Sequence, residues 1–188
     1  MLTARTLIEA QVYTSVQTAA DTAAPAVPPP DLQPGVNITQ GETAWTYASP
    51  SGDIEIPYES EEASRTIGVP FGLGVSTLID AAQWAVLAST FARRALTADM
   101  AYTGQPGQDR SVVELNWEYA AYAVREALKF LPEDADQVPD SAIWSDFGRQ
   151  ALADSPQLVH RAKLFDDLQY YEGTLSDFRA LYDGPSSS

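Results

Sequence analysis

The sequence predicts a mainly α fold, a helical bundle with one β-hairpin and an extended proline-rich N-terminal arm. Three observations carry that prediction. Between residues 112 and 131, Val113, Trp117, Ala120, Val124, Ala127 and Leu131 recur in alternating steps of four and three, which lines one face of a helix. Residues 44–58, AWTYASPSGDIEIPY, alternate apolar and polar positions on either side of the turn-forming SPSGD. Residues 21–35, DTAAPAVPPPDLQPG, hold five of the chain's 13 prolines, so they can neither continue a helix nor enter a sheet.

Taken in order, residues 3–20 form an amphipathic helix. Ile8, Val12 and Val16 stand four apart, with Leu7 beside them. The stripe is thin for a core helix and suits docking onto a neighbouring molecule. Residues 21–43 then form the arm. In extended polyproline conformation, at ~3.1 Å per residue, it reaches about 70 Å. The hairpin at 44–58 places Trp45 and Tyr47 on one side, Ile54 and Ile56 on the return, and Pro57 at a strand end. A lone hairpin is marginal in water, so it must pack on helices or join another sheet. Residues 59–74, ESEEASRTIGVPFGLG, read as a loop with a solvated acidic run.

The remainder reads as helical. The longest helix runs over 76–102 with Ser76 as its N-cap. Its first half is apolar nearly all round. Its second half turns Leu96 and Met100 inward and Arg93, Arg94 and Asp99 outward. Ser111 and Glu114 supply a capping box for the next helix, which Pro132 stops. Three shorter helices follow over 141–153, 156–172 and 175–182, with Gly173 and Gly184 as stops. Residues 1–43 are thus an N-terminal helix and arm, and 44–188 a helical domain bearing the hairpin.

Composition bounds the function. There is no cysteine, which excludes a disulfide framework, a thiolate metal site and a cysteine nucleophile. Twenty-six acids face 11 bases, a net charge of -15. Aspartate outnumbers glutamate 15 to 11, and arginine outnumbers lysine nine to two. Such a surface repels itself until salt screens it, over a Debye length of about 3 Å at 1 M. This resembles the composition of salt-adapted proteins, for which melting is expected to rise with salt; an ordinary acidic protein from a GC-rich genome is the alternative. The same charge argues against nucleic acid and against anionic membranes as partners. The apolar stretch 71–94 contains Asp80 and Gln83, so it reads as a buried helix rather than a membrane span.

Candidate chemistry is sparse. His160, the sole histidine, shares one local segment with Ser155 and Asp166, whereas triad members converge from separate elements. Asp134, Asp136 and Asp140 fall at positions 1, 3 and 7 of a calcium loop. Val138, Pro139 and Ser145 then occupy positions that need an oxygen ligand, glycine and glutamate. Glu59, Glu61 and Glu62 read as solvated charge. The sequence therefore assigns no catalytic residue, no metal ligand and no cofactor. The residues expected to bind a partner are Ile8, Val12 and Val16 of the arm. Tyr170 and Tyr171 are read first as packing the last helix on the bundle; together with Trp45 and Tyr47 they are also candidate contact residues, because aromatic residues are enriched at interfaces.

A docking helix on an arm (3–20), a small hairpin (44–58) and a helical bundle (76–131) together resemble the head–tail connector, or adaptor, proteins of tailed viruses. The resemblance is architectural. It implies a non-enzymatic virion subunit, a ring of identical copies gripping other structural proteins of the assembly, here in a virus of a halophile. A cytosolic helical adaptor or regulatory protein of a halophilic microbe is the alternative, and a metal-dependent hydrolase using acidic residues is a third.

Overall fold

The computed structural model describes residues 2–21 and 37–182. The proline-rich stretch expected to form the arm lies outside the described residues over 22–36. The fold is mainly α, as expected, with a β element larger than a hairpin.

Four strands form one mixed sheet in the order β1-β4-β3-β2. The expected hairpin is β3 (Ala44–Ser49) and β4 (Gly52–Pro57), paired Trp45 to Ile56 and Tyr47 to Ile54. β2 (Ile38–Gln40) adds antiparallel to β3. β1 (Leu2–Thr3) adds parallel to β4, extended by a 2.9 Å bond from the Ala4 N–H to the Glu55 carbonyl. The hairpin gains the sheet partners it needs from within its own chain.

α1 (Leu7–Asp21) packs across β3 and β4. Val12 and Val16 are 0% exposed and Ile8 is half-buried, all three packed on or within the chain's own core. This corrects the expectation that the stripe serves a neighbouring molecule. Ala10 and Ala19 are buried too, which widens the apolar face beyond the line of four-residue steps. Small residues let the helix lie close to the sheet. The N-terminal helix therefore shares the core of the 44–188 region.

α2 (Tyr58–Ile67) occupies the expected loop. Glu59 and Glu61 in its first turn complement the positive end of the helix dipole. Gly68, at φ 77°, supplies the left-handed residue that ends it. Only Ser64 is buried, so no apolar period marks this helix in the sequence.

α3 (Ala81–Ala101) and α4 (Arg110–Leu128) make the most extensive helix contact. α3 starts five residues later than expected. Asp80 is its N-cap, accepting from the Gln83 N–H at 2.9 Å, while the Gln83 side chain accepts from the Asp80 N–H. Along α3 the buried line is Trp84, Ala88, Phe91 and Ala95. Leu96 and Met100 lie off that line and are 46% and 80% exposed, opposite to expectation. On α4 five of the six expected stripe residues, Val113, Trp117, Ala120, Val124 and Ala127, are buried, while Leu131 lies beyond the helix end and is half-buried. Its cap is Asp109, which accepts from the Ser111 N–H and hydroxyl. Glu114 pairs instead with Arg110 and with Arg179 of the last helix.

A 3-10 turn (Asp140–Ala142) and α5 (Asp146–Asp154) follow, α5 against α3. One helix, α6 (Arg161–Tyr182), replaces the two expected there and packs on α4. Gly173 does not break it. Burial of Tyr171, Leu175 and Phe178 outweighs the roughly 1 kcal/mol a helical glycine costs.

Asp80 joins α5 to α3, because its second oxygen accepts from the Ser145 N–H at 2.9 Å and from the Ser145 hydroxyl. A Cβ on Gly148 would lie 2.6 Å from both Asp80 carboxylate oxygens. Gly148→Ala is expected to displace that carboxylate and cost about 2–4 kcal/mol, a lost cap plus buried donors left unpaired. Gly173→Ala, with nothing within 4 Å of the new methyl, should instead stabilise by about 0.5–1 kcal/mol. Urea unfolding of the two variants checks the opposite signs.

Candidate functional site

The described residues hold a buried ionic cluster and, beside it, a groove. The cluster starts from Arg5, just before α1. Its guanidinium binds Glu9 on α1 at 2.6 and 3.0 Å and stands 2.9 Å from the Glu126 carboxylate on α4. The Ser76 hydroxyl donates to Glu9 at 2.6 Å, and Lys129 Nζ donates to Glu126 and, at 2.9 Å, to the Gly72 carbonyl. Gly72, at φ 112°, accepts no side chain, since its Cβ would stand 2.3 Å from that of Arg5.

Glu9 and Glu126 are almost fully buried. Burial alone would lower the Arg5 guanidinium, but its bonds to Glu9 and the charge of Glu126 hold it above its ordinary value. Burial pushes the Glu126 carboxyl up, and the two cations pull it only part of the way back. The charges offset one another, although Glu126 Oε2, 2.9 Å from the Arg5 guanidinium, accepts no hydrogen bond among the described residues. The cluster acts as a latch that ties the N-terminal segment to α4 and to the 72–76 loop. The Ser60 hydroxyl, donating to the Arg5 carbonyl at 2.7 Å, and Glu61, accepting from the Leu7 N–H at 2.7 Å, fasten it to α2 as well.

The groove, of about 690 Å³, runs between α2 with residues 68–70 on one side and α4 with α6 on the other. Ile8, Val69, Pro70, Leu115, Tyr119 and Leu175 supply its apolar lining. Two ion pairs between α4 and α6, Arg125 with Glu172 and Arg179 with Glu118, supply charged lining, and Arg65 faces them from α2. The Tyr122 hydroxyl bridges the two sides through a 2.9 Å bond to the Gly68 carbonyl. The groove thus has an apolar middle with arginines at its margin.

The residues expected to bind a partner are dispersed. Tyr47 is a core residue rather than a contact residue, and Tyr171 packs the last helix on the bundle, 6.0 Å from the Trp117 ring. Burial and the charge of Asp167 push the Tyr171 hydroxyl up to about 12, so it stays protonated. Trp45 is half-buried, edge-on to Tyr58 at 4.7 Å, and Tyr170 is 57% exposed. His160 is exposed and its segment pairs with Gln137 in a single β-bridge. Among the described residues no three His, Asp or Glu side chains are grouped to hold a metal ion. No helix among them is long and apolar enough to cross a membrane.

The groove was not foreseen because its α2 side carries no apolar period. Glu9, an acid on the inner face of α1, was the one available signal for the latch. No protein-family model, no curated protein and no solved structure matches this chain.

Proposed function

We propose that the chain is a structural subunit of a larger assembly, a head–tail connector of a tailed virus infecting a halophile, acting as a ring of identical copies that contacts other virion proteins. The observation that carries this reading is the groove between α2, α4 and α6, apolar in lining and bordered by Arg–Glu pairs. Large apolar side chains left outside the core support it, among them Ile67, Leu96, Met100 and Leu181. In a chain with 26 acids and 11 bases, such positions would be charged if they served only solubility. The helix of residues 7–21 is not the gripping element, since its apolar face is used at home. The ring instead forms through surfaces of the folded domain.

Salt is part of the proposal. Copies with a net charge of -15 repel one another until salt screens them. Light scattering of the full chain in about 3 M salt should give a multiple of the 20.4 kDa single-chain mass. The melting temperature should rise steeply between about 0.1 M and 3 M salt. A single-chain mass at every salt and protein concentration overturns the ring, and a flat melting curve overturns the halophile.

A further inference from the structure

Six of the nine arginines, all of them within the described residues, have partners inside the chain. Arg5, Arg110, Arg125, Arg149 and Arg179 pair with carboxylates, and Arg161 binds three backbone carbonyls. Both lysines pair as well. Of the described arginines, Arg65, Arg93 and Arg94 are the ones without such a partner. Two of these three are adjacent on α3. Burial lowers the Arg94 guanidinium from its ordinary value, with no carboxylate to offset it. Guanidinium groups without counter-ions are out of place in a chain with more than twice as many acids as bases.

The same stretch of α3 presents apolar side chains to solvent. Arg93, Leu96 and Met100 follow at steps of three and four, so they share one helix face. Met100 is 80% exposed, the highest value of any large apolar residue described. α2 carries the complement. Glu59, Glu62 and Ile67 border one shallow surface concavity, and Ile67 is 64% exposed. Among the described residues neither Glu59 nor Glu62 has a cation partner.

We infer that the Arg93–Met100 face of α3 binds the Glu59–Ile67 face of α2 in a second copy of this chain, head to tail. The inference rests on the proposed ring and names the contact that builds it. The two faces match in length and order. Charge comes first and the apolar residue last on both. Arg93 to Met100 spans about 10 Å and Glu59 to Ile67 about 12 Å, at ~1.5 Å per residue. Parallel packing therefore sets arginine against glutamate and Met100 against Ile67. Antiparallel packing would set Met100 against Glu59. Because the two faces differ, the contact is heterologous, the type that generates rings or filaments rather than closed pairs.

The cysteine-free chain makes the contact directly testable. The full-length double variant Ile67→Cys/Met100→Cys, oxidised at high salt, should give a ladder at multiples of 20.4 kDa on a non-reducing gel. Each single variant should remain a monomer on that gel, and a mixture of the two singles should stop at a dimer. Separately, Arg93→Glu/Arg94→Glu and Glu59→Arg/Glu62→Arg should each lower the mass found by light scattering, and the combined quadruple variant should restore it. A wild-type oligomer whose double-cysteine variant gives no ladder overturns this contact and leaves the assembly reading standing. Cross-linking by Met100→Cys alone would mean that α3 meets α3 and would also overturn it. A wild-type chain that is monomeric throughout overturns both.

Discussion

A chain lacking residues 1–21 is expected to lose its cooperative thermal transition. The segment looks detachable in sequence, yet it supplies a strand, an ion and a buried helix face. β1 covers one side of β4, and the Glu55 carbonyl loses its donor without Ala4. Val12 and Val16 are wholly buried, and each such side chain is worth about 1.5–3 kcal/mol. Removing Arg5 leaves Glu126 buried with Lys129 as its remaining cation. Breaking a buried pair in this way costs about 3–5 kcal/mol. The sum reaches the ~5–15 kcal/mol that separates most folded domains from unfolded ones. Circular dichroism should show a broad, early loss of helix, and tryptophan emission should shift to longer wavelength as the core opens. Arg5→Met separates the ionic part and should lower stability by about 3–5 kcal/mol while the fold survives. A truncated chain that melts like the full one would make residues 1–21 a detachable arm after all.

What the sequence displays is periodicity, and what it hides is partnership. α4 was legible because Val113, Trp117, Ala120, Val124 and Ala127 repeat at helical steps, and the 44–58 hairpin because its alternation brackets a turn. α2 was not, since it buries one serine and is held by end effects at Glu59, Glu61 and Gly68 and by hydrogen bonds of Ser60 and Glu61 to the N-terminal segment. The break assigned at Gly173 failed for a related reason. A helix propensity of about 1 kcal/mol is small beside the burial of Tyr171, Leu175 and Phe178. Leu96 and Met100 were read as inward because they are apolar. The alanines at 88 and 95 allow α4 to approach on a different face, and the large residues are left outside. That inversion separates core from surface on α3, and the exposed face became visible only once the buried one was fixed.

The groove and the latch were illegible for a geometric reason. Arg5, Glu126 and Lys129 are ordinary surface residues by type, and more than a hundred positions separate the first from the others. Only the parallel pairing of β1 with β4 and the placement of α1 on the sheet bring Arg5 to α4. Glu9 alone could have signalled the latch, as an acid at helical spacing from Val12 and Val16 on a face that had to be apolar. An acid in such a place implies a cation nearby, but not which one.

Trp117→Ala should be the most damaging single substitution in the bundle, at about 3–5 kcal/mol. Trp117 is 1% exposed at the middle of α4, the helix shared by the contacts to α3 and α6. Tyr170 and Tyr171 of α6 lie 6.2 and 6.0 Å from its ring. Its indole N–H has no hydrogen-bond partner among the described residues. Truncation therefore removes no hydrogen bond, and the whole cost is lost burial and the cavity left behind. The surroundings cannot collapse into that cavity, because three packed helices would have to move together. Trp117→Phe provides the decisive comparison. It keeps an aromatic ring against the tyrosines and removes the unpaired donor, whose burial itself costs about 1–3 kcal/mol. The phenylalanine variant should therefore stay within about 1.5 kcal/mol of the wild type. Urea midpoints at constant slope measure both. An alanine variant that loses less than about 1 kcal/mol would mean the α4–α6 contact is loose. A phenylalanine variant as damaged as alanine would mean the indole N–H has a partner that matters.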